Sequence, residues 1–207
     1  MTTLYIIRHA QATGNQDMRF QGSTDNGLSE YGRLQIAALS ARCRDLRLDR
    51  IYTSPLRRAA ETAEAVGAGR GIPITVREDL REIDCGEWEG MTWDSIRYDR
   101  AEEFETWVSR PHEFQARLGE PMRSVSERVN RAWDQIVDEN PGGCVAIVSH
   151  GCAIRNLMCR IYGLPLEQLS QTPWMDHAAI TAVECTGRVP VIVYENDMRH
   201  LQGVVLQ

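Results

Sequence analysis

The sequence predicts an α/β fold, a three-layer sandwich with a mainly parallel central sheet and helices on both faces. Short apolar segments with the period of strands alternate along the chain with segments of helical period, which is the pattern of such a sheet. The segment "CVAIV" at residues 144–148 is a continuous apolar run, typical of a central strand buried on both faces. The alternation stops between about residues 87 and 122, where we expect a mostly helical insertion.

Local patterns predict the individual elements. Six segments are predicted as strands, at residues 4–7, 50–54, 74–76, 144–148, 178–184 and 189–194. Ser29 is the expected N-cap of the first helix, and Ser54 with Pro55 begins the second. Ser124 and Glu127 form a capping box for the third helix. These helices are expected to end near residues 46, 66 and 139, and a fourth is expected over 152–162. The inner face of the first helix is expected to carry Leu34, Ala38, Leu39 and Ala41.

The composition favours one domain over residues 1–207. Of the 207 residues 43% are hydrophobic, which is enough for a single packed core. The net charge of −6 argues against a nucleic acid or an anionic membrane as the partner. All 23 basic residues are arginine, so any anion site would use planar guanidinium groups.

Cysteine usage and hydropathy indicate a cytoplasmic protein. The six cysteines contain no C-x-x-C pair and are interpreted as reduced thiols. The N-terminus leads directly into a strand without a signal-peptide pattern, and no apolar stretch approaches the roughly 18 residues of a membrane span. The sequence does not decide whether the protein forms a homodimer, because it contains no apolar stripe that would mark an interface.

Polar side chains follow four of the predicted strands. Arg8 and His9 come after the first strand, and Arg58 lies in the first turn of the helix after the second. Glu82 follows the third strand and His150 follows residues 144–148. Because the carboxyl ends of parallel strands meet at one edge of the sheet, we expect these groups to lie together there.

This set of groups suits phosphoryl transfer. Arginine binds phosphate oxygens with two parallel hydrogen bonds, and an imidazole can attack phosphorus and hold the group covalently. A carboxylic acid can protonate the leaving oxygen and later take a proton from water. The helix N-terminus at Gly151 would add positive potential for the phosphate. The scheme requires no metal ion and no other cofactor. The spacings of His112, His177 and His200 make no zinc-ligand pair, although His177 can approach the pocket.

Four blocks, in order, resemble the histidine phosphatase superfamily, also called the phosphoglycerate mutase-like family: "RHAQATGN", "TSPLRRAAETAE", "LREIDCGEWEGMTWDSI" and "VAIVSHGCAIRNL". The resemblance covers nearly the whole chain. It implies that His9 is the nucleophile that becomes phosphohistidine and that Glu82 is the proton donor. It also implies a phosphate pocket formed by Arg8, Arg58 and His150.

The same resemblance assigns further residues around the phosphate. It implies that Asn15 contacts phosphate and that Gln21 and Gly22 line the substrate side. In the family pattern the functional arginine is the one directly before alanine, which selects Arg58 and leaves Arg57 to solvent. The sequence departs from the family at Ala10, where a glycine is usual, and at Ala12, where a hydroxyl is usual.

The resemblance leaves three functions to compare. A phosphatase would hydrolyse the phosphoenzyme, a mutase would return the group to its substrate, and a silent homologue would only bind. The insertion is expected to lie over the active site, and mutases of this family carry a longer, basic one. Here it is modest and carries acids at residues 94, 99, 102, 103 and 105, which favours a phosphatase acting on a small-molecule phosphate ester.

Overall fold

A computed structural model describes residues 1–205, and over these residues six strands form one sheet. The strands are β1 (Thr2–Arg8), β2 (Arg50–Thr53), β3 (Ile74–Val76), β4 (Cys144–Ser149), β5 (Ile180–Thr186) and β6 (Val189–Asp197). Their order across the sheet is β3-β2-β4-β1-β5-β6. The first four in this order pair in parallel, and β5 and β6 are added antiparallel at one edge.

Helices cover both faces of this sheet, so the predicted α/β sandwich is confirmed. They are α1 (Thr13–Gln16), α2 (Glu30–Cys43), α3 (Arg57–Gly67), α4 (Trp93–Asp99), α5 (Ala101–Ser109), α6 (Met122–Glu139) and α7 (Gly151–Ile161). Residues of α2 and α3 build the apolar core on one face. Residues of α6, α7 and the segment between β3 and α6 build the larger core on the other. The central strands β1 and β4 lie between both cores and carry fully buried side chains such as Ile6 and Val145.

Two predicted helix starts are wrong. Helix α3 begins at Arg57 instead of Pro55, because Leu56 keeps an extended backbone with φ −66° and ψ 133° and is itself the N-cap residue. Helix α6 begins at Met122, because the carbonyl of Pro121 already accepts a hydrogen bond from the Ser124 N–H at 2.9 Å. The Ser29 cap is confirmed, since its Oγ accepts the Gly32 N–H at 3.0 Å.

The inner face of α2 differs from the expected one. Of the four apolar residues expected there only Leu39 is buried, and Leu34 is 39% exposed. Gln35 is buried in its place, and its Oε1 accepts the backbone N–H of Gln11 at 2.8 Å. Gly32 packs against the Gln11 carbonyl so closely that a Cβ would lie 2.0 Å from the oxygen. The helix therefore presents polar contacts, rather than an apolar stripe, to the loop that follows β1.

The segment between residues 87 and 122 contains α4, α5 and a cluster of aromatic rings. Trp88 is fully buried and makes edge contacts with Phe20 and Phe114 at centroid distances of 5.6 and 4.8 Å. Trp107 packs on Phe20 and Phe114 as well. This cluster fixes the segment beside the carboxyl ends of the parallel strands. Within residues 1–205 no helix has the length and apolarity that crossing a membrane requires.

Candidate active site

The strand register brings the predicted polar residues together. Arg8 at the end of β1 is the register partner of Ser149 at the end of β4, and Thr53 of β2 is the partner of Val148. The three parallel strands therefore end at the same level. His9, Ser54 and His150 are the first residues after these strands, so their side chains emerge side by side at one edge of the sheet.

His9 is buried, and one of its ring nitrogens makes a hydrogen bond while the other is available to react. Its Nδ1 lies 2.7 Å from the carbonyl oxygen of Ala10. A carbonyl can only accept a hydrogen bond, so Nδ1 carries the proton and Nε2 holds the lone pair. Burial, together with the positive charge of Arg58, holds the pKa of His9 well below its usual value, so the ring is neutral. A neutral imidazole with a free Nε2 is the form that can attack phosphorus.

Two guanidinium groups lie beside this ring. Arg58 is 1% exposed and donates to the carbonyl oxygens of Gly22 and Thr24, both at 2.7 Å. Burial lowers its pKa to about 10, so it stays a cation at neutral pH. Arg8 donates to the carbonyl oxygen of Met175 at 2.6 Å and packs on Gly151, where a Cβ would lie 3.2 Å from its Cζ. The Nε atoms of both arginines are buried and have no partner among the described residues.

His150 supplies a third buried donor. Its Nε2 lies 2.6 Å from the Ser54 Oγ, and that Oγ accepts the Leu56 N–H at 3.2 Å. The serine hydrogen is therefore free to point at Nε2, which places the proton of the imidazole on Nδ1. Within residues 1–205 this Nδ1 has no hydrogen-bond partner, and the ring centroid lies 5.0 Å from that of His9. A buried donor without a partner costs free energy, because it has lost its hydrogen bonds to water. The unpartnered donors around His9 therefore suit a bound anion.

Glu82 lies at the N-terminus of α7. Its Oε1 accepts the N–H groups of Ile83 and Ala153 at 3.0 Å, and its Oε2 accepts the Cys152 N–H at 2.9 Å. These bonds fix the carboxylate next to Gly151. Glu82 and His9 line the same cavity, so a phosphate ester held at His9 has this carboxyl group within the same enclosure.

The residues assigned from the resemblance also line this cavity. Asn15 uses its Oδ1 to accept the Ala12 N–H at 3.1 Å, which closes the loop after His9. Gln21 is 7% exposed. Gly22 has a φ of +47° and turns its carbonyl to Arg58, a conformation that favours glycine. Arg57, by contrast, has a side chain that is 65% exposed.

The outer part of the cavity is aromatic. The cavity has a volume of about 280 Å³, and its walls include Phe20, Trp93, Trp107 and Trp174. Trp174 stacks on Trp107 at a centroid distance of 5.9 Å, and the Arg155 guanidinium lies 4.6 Å from its ring centroid. Among the described residues that line the cavity, Arg19 is the one charged residue besides Arg8, Arg58 and Glu82. The cavity thus combines a cationic floor with apolar walls.

Two residues of the site make contacts that the sequence does not predict. Ser54 was interpreted as a helix cap but contacts His150. His177 does approach the pocket: its Nδ1 donates to the His9 carbonyl at 3.1 Å, and its ring centroid lies 5.2 Å from that of His9. Burial lowers the pKa of His177 to about 3. No local signal marks either role, since both depend on contacts between distant segments. Among the described residues, no group of three or more His, Cys, Asp or Glu side chains is arranged to hold a metal ion.

Comparisons with known proteins agree with this geometry. The chain is 38% identical to Bacillus stearothermophilus YhfR, whose structure it matches with a TM-score of 0.92 over 97% of this chain and 100% of that one. It is 30% identical to phosphoserine phosphatase 1 of Hydrogenobacter thermophilus, over 97% of this chain and 95% of the relative. It is 34% identical to "Probable phosphoglycerate mutase GpmB" of Cronobacter sakazakii, over 80% and 77%. Residues 4–198 match the histidine phosphatase superfamily (branch 1), and the chain belongs to this family.

Proposed function

We propose that this protein is a metal-independent phosphomonoester hydrolase that works through a phosphohistidine intermediate. The observation that carries the proposal is the neutral His9 ring, with its Nε2 lone pair, beside three buried donors that have no partner among residues 1–205. The two arginines and the N-terminus of α7 would balance the charge of the phosphoryl oxygens.

The reaction would proceed in two transfers. In the first, which begins with the carboxyl group of Glu82 protonated, the His9 Nε2 forms a bond to phosphorus while the ester P–O bond breaks, and Glu82 gives its proton to the leaving oxygen. In the second, Glu82 takes a proton from water as the water oxygen bonds to phosphorus. The P–N bond breaks, inorganic phosphate forms, and both His9 and Glu82 return to their starting states.

The walls of the cavity support an apolar or aromatic leaving group. A relative carries the name phosphoserine phosphatase, which makes phosphoserine a candidate substrate. The ammonium group of phosphoserine would need a carboxylate, and the only one lining the described cavity is Glu82, which already accepts three N–H groups. Phe20, Trp93, Trp107 and Trp174 would instead contact a flat or aliphatic group.

A mutase is the alternative, because another relative is named as a phosphoglycerate mutase. A mutase must keep water away from the phosphoenzyme and hold a second substrate anion near it. The acids at residues 94, 99, 102, 103 and 105 of the segment beside the cavity disfavour such an anion. Arg19 is the one further cation among the residues that line the cavity.

The test compares the wild type with His9→Ala, and with His112→Ala as the control. His112 lies in the same chain outside the cavity lining. We expect wild type and control to hydrolyse p-nitrophenyl phosphate in EDTA and to form acid-labile phosphoenzyme, and His9→Ala to do neither. Labelling that survives in His9→Ala would reject the proposed nucleophile. Loss of activity in EDTA would reject metal independence, and an inactive wild type would support a silent homologue.

The same preparation separates the remaining functions. Faster hydrolysis of aryl phosphates than of phosphoserine is the expected result, read as kcat/KM. With 3-phosphoglycerate, release of inorganic phosphate supports the hydrolase, whereas formation of 2-phosphoglycerate without phosphate release would establish the mutase.

A further inference from the structure

One arginine of α6 holds the backbone that ends in Glu82. The Nη1 of Arg128 donates to the carbonyl oxygens of Asp79 and Arg81, at 3.1 and 2.6 Å. Its Nη2 donates to the carbonyl oxygen of Glu82 itself, at 3.1 Å. A single guanidinium group thus binds three carbonyls within four residues of the loop that follows β3, whose first part, Glu78–Leu80, is a short 3₁₀ helix.

The same guanidinium is oriented by a carboxylate. Arg128 makes a two-fold contact with Glu120, from Nε to Oε1 at 2.8 Å and from Nη2 to Oε2 at 2.9 Å. The two side chains are only 14% and 22% exposed, so this pair is much less screened than a surface pair. The Glu120 N–H also donates to the Asp84 carbonyl at 2.7 Å, which holds the loop beyond Glu82.

The remaining carbonyl of the loop is also bound. The carbonyl oxygen of Leu80 accepts a hydrogen bond from the Ser149 Oγ at 2.7 Å. All four carbonyls of residues 79–82 are therefore fixed by side chains from α6 and the end of β4. Ser149 directly precedes His150, so this contact ties the loop to the phosphate pocket. A loop with this many side-chain contacts has its position specified closely.

We propose that Arg128 is the positioning residue for the Glu82 carboxyl group. This inference rests on the proposed function, in which Glu82 protonates the leaving oxygen. Proton transfer depends steeply on the distance and direction of the donor, and a displacement of about 1 Å can cost on the order of a hundredfold in rate. The α7 N–H groups fix the carboxylate end of Glu82, and Arg128 fixes its backbone end.

The leaving group provides a readout that a merely structural role would not change. A p-nitrophenolate is stable enough to leave without a proton, whereas phenolate gains much more from protonation by an acid. Displacement of Glu82 should therefore slow the hydrolysis of phenyl phosphate far more than that of p-nitrophenyl phosphate. General loss of structure would slow both reactions by the same factor.

The experiment measures kcat/KM for both esters in the wild type, Glu82→Gln, Arg128→Gln and Arg160→Gln. Arg160 is the matched control, because it makes contacts of the same kind. Two of its nitrogens bind the Asp134 carboxylate, and one also donates to the backbone carbonyl oxygen of Asn130. In the described part of the chain, neither Asp134 nor Asn130 makes a hydrogen bond or an ion pair to residues 79–82. We expect Arg128→Gln to lower kcat/KM about tenfold more for phenyl phosphate than for p-nitrophenyl phosphate. Glu82→Gln should show a larger difference between the two esters, and Arg160→Gln should show no difference between them.

The outcomes separate this inference from the proposed function. An equal loss for both esters in Arg128→Gln, with a selective loss in Glu82→Gln, would overturn the positioning role alone. An equal loss for both esters in Glu82→Gln would remove Glu82 as the acid, and the positioning role with it. If Arg128→Gln does not fold, Arg128→Lys takes its place. An ammonium group keeps the charge but cannot reach all five acceptor contacts, so it should give the same selective loss in weaker form.

Discussion

At the scale of single residues, the proton on His150 depends on one hydroxyl group. Ser54 donates to Nε2 of this ring, so Nδ1 carries the hydrogen, and this N–H is buried without a partner among the described residues. The pKa of His150 is held well below its usual value by burial and by Arg58, so the ring is neutral and its tautomer is decided by this hydrogen bond.

Ser54→Ala should therefore reduce activity without a matching loss of stability. It leaves Nε2 without a donor and allows the proton to move to the wrong nitrogen. We expect kcat/KM for p-nitrophenyl phosphate to fall about tenfold, equivalent to roughly 1.4 kcal/mol. Ser126→Ala is the control, because this buried serine also accepts a hydrogen bond, from Asn130 at 3.2 Å, outside the cavity. Equal activity in the two variants would contradict this role.

At the scale of elements, the N-terminus of α7 packs directly on the guanidinium group of Arg8. Gly151 is the first residue of this helix, and a Cβ there would lie 3.2 Å from both Cζ and Nη2 of Arg8. A side chain at residue 151 would therefore move the guanidinium group away from the helix end by a few tenths of an ångström.

Gly151→Ala should separate activity from stability. Alanine favours the helical conformation over glycine by up to about 1 kcal/mol, so the free energy of unfolding should be unchanged or higher. The added methyl group displaces Arg8 by a few tenths of an ångström, and we expect kcat/KM to fall about tenfold. Gly143→Ala is the control, since its Cβ would meet no atom closer than 3.4 Å. Retained activity in Gly151→Ala would show that Arg8 tolerates the displacement.

At the scale of the whole molecule, the sequence is sufficient to predict the central sheet and the polar residues that lie at its edge. Apolar runs located the central strands, and the direction of parallel strands brought Arg8, His9 and His150 together. The supporting contacts were not predictable, because they join residues far apart in the chain. The three backbone carbonyls that Arg128 binds lie 46 to 49 positions away, and Ser54 and His150 are 96 positions apart. Gln35 was missed for a related reason, as hydrophobic periodicity does not register a buried polar contact.

Two buried histidines, His9 and His150, and the partly buried His177 give the protein a defined response to acid. The pKa values of His9 and His150 are held well below the usual value, and that of His177 is lowered to about 3, in each case chiefly by burial. In the unfolded chain the pKa of each returns to about 6.5, so below this pH the unfolded state binds more protons than the folded state. The contribution of these neutral histidines to the free energy of unfolding is therefore fully present above about pH 6.5, and it is lost as the pH falls below this value.

The variant His177→Asn measures the contribution of His177 to this pH dependence of stability. Asparagine can donate to the His9 carbonyl in place of the His177 Nδ1–H but cannot take up a proton. Each buried neutral histidine contributes about 1.4 kcal/mol per pH unit between its two pKa values. Urea unfolding of the wild type and variant between pH 8 and pH 4.5 should thus give a slope that is shallower in the variant by about this amount below pH 6. The buffers must lack phosphate, because an anion bound to the folded state would stabilise it independently. The two curves should run parallel above pH 7, where the rings are neutral in both states. Curves that stay parallel at low pH would mean that His177 takes up its proton without unfolding.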